Sequence, residues 1–138
     1  HCLSRGLGDV YKRQVTNSVS CTSAFSQKAA AAAIQGPQDS VRMMLKEFKE
    51  RSKIVVDGFN DIKGISCIQP KGAFYAFPNI KETGYKSQEL SDALLNQGVA
   101  VLPGTSFGKY GEGYLRISFA NSRENLVKAL NIIKEFLD

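Results

Sequence analysis

The sequence contains no tryptophan, and its single histidine, His1, is the first residue. A Ser-His-Asp or Cys-His catalytic site is therefore not expected within this chain. The three cysteines, Cys2, Cys21 and Cys67, are odd in number, widely spaced and lack a C-x-x-C pair. This pattern predicts neither a disulfide framework nor a zinc site, and we expect no bound metal ion.

Long apolar runs are also missing. The longest apolar blocks, AAAAAI and GVAVL, are far shorter than the roughly 20 residues that span a bilayer. The N-terminal residues do not form an apolar segment followed by a small-residue cleavage site, so no signal peptide is expected. We therefore expect a cytoplasmic protein without a membrane partner.

Charge of one sign is not concentrated in the folded part of the chain. The net charge is +5, and the first fourteen residues supply two of these charges. The remaining lysines and arginines are interspersed with acids, as in LKEFKERSK. Nucleic-acid-binding proteins usually gather basic residues on one face, so we expect no nucleic-acid partner.

Most of the chain shows an α/β pattern. Residues 1–14 show no periodicity, which predicts a disordered or non-native tail. A first helix is predicted from Ser23 to Gly36, and a long second helix begins near Pro37 and closes at Gly64. Strands are predicted for ISCIQP, GAFYAFP, VAVLP and YLRISFA, with a third helix from Ser87 to Gly98 and a final helix capped by Asn121 and Glu124. We expect Leu126, Leu130, Ile133 and Leu137 to form the buried face of that last helix.

The segment YLRISFA is the most informative one. Leu115, Ile117 and Phe119 share one face of the predicted strand, and Arg116 lies on the other. A carboxylate is the best geometric match for a guanidinium, through two parallel hydrogen bonds. From these residues alone, a structural Asp or Glu partner, a solvent-exposed side chain and an anionic ligand all remain open.

Other segments carry weaker signals. The loop PGTSFGKYGEG contains neither phosphate-binding glycine motif, so a flexible connection is the favoured interpretation. The aromatic residues of GAFYAF are expected in the core. Lysines such as Lys28 and Lys71 have no surroundings that suggest a nucleophile, and we nominate no catalytic residue.

Four blocks in order give the chain a specific resemblance: NSVSCTSAFSQKAAAAAI, PKGAFYAFPNI, GVAVLPGTSFG and YLRISFANSRENLVKAL. From about Val15 to Asp138 the chain resembles the C-terminal part of class I, fold-type I, pyridoxal-phosphate-dependent aminotransferases, the aspartate aminotransferase-like group. The resemblance implies an α/β fold, with residues 15–36 ending the large cofactor domain as its last helix. Residues 37–138 would form the linking helix and the small C-terminal domain, a small sheet covered by helices.

The resemblance also implies site residues. Arg116 occupies the position that grips the substrate's α-carboxylate, and Phe74 matches an aromatic residue that lines the substrate pocket. Ser20, Cys21 and Thr22 correspond to a turn that approaches the neighbouring subunit's active site in a homodimer. The sequence departs from many relatives there, since they have Asn-Pro where this chain has Cys21-Thr22.

The implied reaction transfers an amino group between an α-amino acid and a 2-oxo acid through pyridoxal phosphate. The family's Schiff-base lysine, the aspartate at the pyridine nitrogen and the phosphate-binding groups all lie upstream of the matched region. The chain is therefore expected to be a fragment that is inactive alone. Alternatives are another fold-type I enzyme, such as a C–S lyase or a cyclopropane-forming synthase, or a stand-alone ligand-binding or interaction module.

The expected absence of the Schiff-base lysine can be tested directly. The purified 138-residue chain, mixed with pyridoxal phosphate, should show no absorbance band of a lysine-bound cofactor, because the required lysine lies upstream. A full-length aminotransferase provides the positive control. A clear band that lysine competes away would contradict the prediction.

Overall fold

The computed structural model of the chain describes residues 2–19 and 21–138. It divides the chain into two compact units, His1–Ser40 and Val41–Asp138. The second unit contains the sheet and the core, and the candidate site is built within it.

The first unit consists of helix α1, Cys2–Val19, and helix α2, Ala24–Gln35. Helix α1 differs from the disordered tail expected for residues 1–14. No proline interrupts this segment, and the hydroxyl of Thr16 donates to the Lys12 carbonyl at 2.8 Å within the helix. The non-native origin of residues 1–14 remains a prediction.

Helix α2 follows the predicted bounds closely. Ser23 is its N-cap residue and Gly36 its C-cap residue, and the Gly36 N–H donates to the Ala32 carbonyl at 2.8 Å. The side chains of Phe25 and Ile34 are 78% and 79% exposed within this alanine-rich helix.

The second unit alternates helices with short strands. Its elements are α3 (Asp39–Asn60, of which the first two residues belong to the first unit), β1 (Tyr75–Ala76), α4 (Ser87–Asn96), β2 (Leu102–Pro103), β3 (Leu115–Ser118) and α5 (Arg123–Leu137). Short 3₁₀ helices cover Lys81–Thr83 and Gly104–Phe107. The predicted α/β class, a small sheet covered by helices, is confirmed.

The sheet is antiparallel with the order β1-β3-β2, so β3 is the central strand. Tyr75 lies opposite Ser118, and Leu102 lies opposite Arg116. The strands are shorter than predicted, and ISCIQP contributes only the Ser66–Asn79 bridge. Prolines 70, 78 and 103 stand at the ends of the predicted strands, and a proline cannot donate to a sheet ladder.

The core lies between the sheet and three helices. It includes buried side chains from α3, α4, β3 and α5, and Phe119 directly after β3: Val55, Phe59, Leu90, Leu94, Leu115, Ile117, Phe119, Leu126, Leu130 and Ile133. The predicted alternation of β3 is confirmed, since Leu115, Ile117 and Phe119 are 0%, 6% and 1% exposed. The predicted face of α5 is also buried, except that Leu137 is only partly covered.

Three helix ends differ from the predicted positions. Helix α3 ends at Asn60 rather than at Gly64. The Asn60 side chain accepts a hydrogen bond from the N–H of Cys67 at 2.7 Å and donates one to the Cys67 carbonyl at 3.0 Å, which holds the following turn against the helix end. Helix α4 has Lys86 as its N-cap residue, and Ser87 is its first residue. Helix α5 is capped by Ser122 rather than by Asn121, since the Ser122 hydroxyl accepts from the N–H of Asn125 at 3.2 Å.

An ion-pair network joins α3 to α5. The Glu47 carboxylate accepts from the Nε atoms of Arg123 and Arg51 at 3.0 and 2.8 Å. The hydrogen bond from Arg123 is the largest cause that lowers the pKa of Glu47 to about 2, followed by the one from Arg51. All three side chains reach solvent, so we expect only a modest contribution to stability.

Truncation of the core side of α5 tests this packing. Ile133→Ala should lower the free energy of unfolding by about 2–5 kcal/mol, because it removes a side chain that is 0% exposed and leaves a cavity. Val127→Ala is the matched control on the same helix, at a side chain that is 44% exposed, and should change the free energy of unfolding by less than about 0.5 kcal/mol. Equal losses in a urea titration would contradict the described core face.

Candidate functional site

The site is centred on Arg116 in β3. Successive side chains of a strand point to opposite faces, so the burial of Leu115 and Ile117 directs Arg116 away from the core. The sheet register adds cross-strand neighbours on that second face. We call it the open face and define it by Tyr75, Phe77, Leu102, Tyr114, Arg116 and Ser118, all of them half-buried or exposed.

Two aromatic rings contact the Arg116 guanidinium. The Cζ atom lies 4.4 Å from the ring centroid of Tyr75 and 4.0 Å from that of Phe107. Tyr75 belongs to β1, and Phe107 belongs to the 3₁₀ helix that follows β2. The two rings therefore come from segments on opposite sides of the central strand. Cation–π contacts of this kind stabilise the charge without a counter-ion.

Within the described part of the chain, Arg116 has no carboxylate partner. Among residues 8–19 and 21–138, whose side chains are described, no Asp or Glu oxygen lies within 4.0 Å of its guanidinium, and no group accepts a hydrogen bond from it. Every buried side-chain nitrogen or oxygen in this part of the chain has a partner. The unpartnered guanidinium nitrogens are therefore ones that reach solvent, and their N–H groups can donate to an incoming ligand.

A cavity of about 180 Å³ adjoins the guanidinium. Tyr75, Leu102, Arg116 and Ser118 of the open face line it, together with Ala100 and Val101. Its lining combines one cation with the hydroxyl-bearing side chains of Tyr75 and Ser118 and with apolar side chains. Such a site suits a small carboxylate with an apolar body.

The loop that carries Phe107 is fastened at its far end by Ser87 and Glu112. The Ser87 hydroxyl, 0% exposed, accepts from the N–H groups of Gly113 and Tyr114 at 2.8 and 3.2 Å. The Glu112 carboxylate accepts from the N–H of Ser87 at 2.9 Å. The sequence favoured a flexible connection here, whereas the described loop is held by specific hydrogen bonds.

The base of the same loop is closed by two glycines. A Cβ atom added at Gly104 would overlap the carbonyl oxygen of Gly111, and one added at Gly111 would overlap that of Gly104. The N–H of Gly104 also donates to the Tyr114 carbonyl at 2.8 Å. Only glycine permits this close approach of the two backbone segments, which fixes where the Phe107 turn begins.

Phe74 lies beside this site but does not line the cavity. Its ring centroid is 4.4 Å from that of Tyr75 and 6.3 Å from that of Phe48 on α3. Its carbonyl accepts from the N–H of Phe119 at 2.9 Å. Phe74 is therefore a neighbour of the Tyr75 ring, and its role in a substrate pocket stays a prediction.

The other nominated residues lie in the first unit. Ser20 is outside the described residues. Cys21 and Thr22 are exposed, and the Thr22 carbonyl accepts from the Gln27 side chain at 2.7 Å. Their contact with a neighbouring subunit stays a prediction.

Sequence reasoning missed Tyr75 and Phe107, which it assigned to a core strand and to a connecting loop. The period of two in AFYAFP separates Ala76 from Tyr75 and Phe77, so the open-face position of Tyr75 could have been read from it. The position of Phe107 depends on a 3₁₀ turn after β2, for which the sequence gives no clear signal.

Among the described side chains of residues 8–19 and 21–138, no three His, Cys, Asp or Glu groups are placed so that they could hold a metal ion. No described helix has the length and apolarity required to cross a bilayer.

Comparison with known proteins gives consistent matches. A family model described as "Aminotransferase class I and II" matches residues 9–133. An aspartate aminotransferase from Pyrococcus horikoshii is 46% identical over 117 residues, which cover 83% of this chain and 30% of that relative. The chain therefore spans less than a third of the length of this curated relative.

Solved structures of aminotransferases are also similar to this chain. An aromatic aminotransferase from Pyrococcus horikoshii superposes with a TM-score of 0.83 and 39% identity, over 91% of this chain and 34% of that one. An aspartate aminotransferase from Rhizobium meliloti gives a TM-score of 0.80 and 34% identity, over 89% and 33%.

The hydrogen bonds to Glu112 predict a pH dependence. The N–H of Ser87 is the largest cause that lowers the pKa of Glu112 below its ordinary value of 4.5. A lowered folded-state pKa contributes stability that is complete above about pH 4.5 and is lost as the pH falls through the folded value. The difference in unfolding free energy between wild type and Glu112→Gln should therefore shrink as the pH is lowered below 4.5. A difference that stays constant from pH 7 to pH 3 would contradict the assignment.

Proposed function

Because the chain belongs to the class I and II aminotransferase family, we propose that it is the C-terminal part of an amino acid aminotransferase. The family prediction made from the four sequence blocks is confirmed by the match over residues 9–133. The proposed reaction moves an amino group between an α-amino acid and a 2-oxo acid.

The observation that carries the proposal is the unpaired Arg116 beside its cavity. Its N–H groups have no acceptor among residues 8–19 and 21–138, and they reach solvent next to a space of about 180 Å³. In the proposed function the substrate's α-carboxylate enters this cavity and accepts from the Arg116 N–H groups in a bidentate ion pair. Arg116 then orients the substrate so that its α-carbon faces the catalytic groups of the complete enzyme.

The residues of the Arg116 cavity do not form a complete site for pyridoxal phosphate. The cofactor requires a lysine for its aldehyde carbon and an acid for its pyridine nitrogen, and the cavity lining contains neither. In the proposed complete enzyme, pyridoxal phosphate is held by residues upstream of this chain and supplies the electron sink for the reaction. The 138-residue chain contributes the carboxylate-binding side and has no transaminase activity by itself.

We further propose that the complete enzyme is a cytoplasmic homodimer. Cys21 and Thr22 are exposed at the turn predicted to approach the neighbouring subunit. Phe74, which packs against the Tyr75 ring, would contribute to the substrate pocket from the side of α3.

The assignment of Arg116 is tested in the full-length enzyme. Arg116→Lys should lower kcat/KM for amino acids by about tenfold or more, because lysine keeps the charge but loses the planar fork that pairs with a carboxylate. Arg51→Lys, on α3 and outside the cavity, is the matched control and should leave kcat/KM within about twofold. An unchanged kcat/KM in Arg116→Lys would refute the assignment.

A further inference from the structure

The rings of Tyr75 and Phe107 contact Arg116, the residue on which the proposed function depends. Both rings lie within van der Waals reach of the Arg116 Cζ atom, at 4.4 and 4.0 Å from their centroids. They are supplied by segments on opposite flanks of β3. Among the described residues, Arg116 is therefore held by contacts with rings rather than by hydrogen bonds to protein groups.

Each ring is supported by a further aromatic side chain. Tyr75 packs on Phe74, with 4.4 Å between their centroids. Phe107 packs edge-on against Phe77 at 6.4 Å, and Phe77 stacks on Tyr114 at 5.3 Å. Because the rings have such neighbours, their positions are set by packing on the open face and do not depend on Arg116 alone.

The contact of the guanidinium with two rings has a chemical consequence. The electron-rich faces of the rings attract the cation, and the N–H bonds lie in the guanidinium plane, where they stay available. A flexible arginine loses side-chain entropy when it pairs with a carboxylate, and a preorganised one loses less. A guanidinium with restricted orientation also accepts a planar carboxylate only along its edge.

We propose that Tyr75 and Phe107 are positioning residues that hold the Arg116 guanidinium in one plane and present its N–H edge to a substrate carboxylate. This inference rests on the proposed function, in which Arg116 binds the α-carboxylate. It assigns to the loop from Gly104 to Gly113 a role in carboxylate recognition through Phe107.

A double-mutant cycle in the full-length enzyme tests the proposal. Phe107→Leu and Tyr75→Leu are each made in the presence of Arg116 and in an Arg116→Ala background. The half-reaction with an amino acid is followed under single-turnover conditions, so that slow variants remain measurable. Phe107→Tyr and Tyr75→Phe retain the rings, and Tyr110→Leu removes an 84% exposed ring that contacts Lys109 and not Arg116.

With Arg116 present, each leucine variant should lower kcat/KM about tenfold, chiefly by raising KM. A tenfold change is the size expected for the loss of a partly desolvated cation–π contact. In the Arg116→Ala background the same leucine variants should change kcat/KM by less than about twofold. The ring-retaining variants should lose clearly less kcat/KM than the leucine variants, and Tyr110→Leu, outside the site, should keep kcat/KM within about twofold of the parent.

The outcomes separate the two proposals. If Arg116→Ala alone leaves kcat/KM unchanged, the proposed function itself fails. If Arg116→Ala lowers kcat/KM but the leucine variants do not change it, or lower it equally in both backgrounds, only the positioning role is overturned. Because Phe107 is 48% exposed, its truncation leaves the core intact, and a thermal melt of each variant verifies folding.

Discussion

The alternation of β3 is the constraint on which the rest of the second unit depends. Leu115, Ile117 and Phe119 form part of the core between the sheet and the helices, and this requires Arg116 to lie on the opposite face. A shift of one residue in the register would place the guanidinium in the core and three apolar side chains in solvent. The same hydrophobic burial that stabilises the fold therefore determines where its unpaired cation is presented.

Within the described residues, Arg116 is a cation without an ion-pair partner on a largely aromatic surface. The open face gives Arg116 ring faces in place of a carboxylate, and these attract the charge while they leave the hydrogen-bond donors unused. A protein carboxylate at this position would stabilise the arginine further but would compete with any ligand. The arrangement is thus well suited to binding an anion and poorly suited to a structural ion pair.

The sequence was sufficient for those features that depend on local periodicity. It predicted the two faces of β3, the buried side of α5 and the helix from Ser23 to Gly36, because each follows from repeating positions along one element. It also predicted the family, through four ordered blocks. The cap at Ser122 was misplaced because the neighbouring Asn121 is chemically as suitable. The end of α3 at Asn60 was misplaced because it depends on hydrogen bonds to Cys67, seven residues further on.

The contacts around Arg116 could not be predicted in the same way. Tyr75 meets Arg116 only through the pairing of β1 with β3, and Phe107 only through a 3₁₀ turn after β2. The anchoring of the loop by Ser87 was also hidden, since this serine is equally suitable as an ordinary helix cap. Its role follows from the position of Gly113 and Tyr114 beside α4, which is a tertiary feature.

The close approach of Gly104 and Gly111 divides the loop into parts with different freedom to vary. Phe107 and the turn that carries it lie before the tip, while Gly108, Lys109 and Tyr110 form an exposed tip between Phe107 and the closing glycine. Exposed loop tips are where chains tolerate insertions best. The tip is therefore the natural place to attach a fluorophore or an affinity tag, a few residues from the arginine yet outside the contacts that hold it.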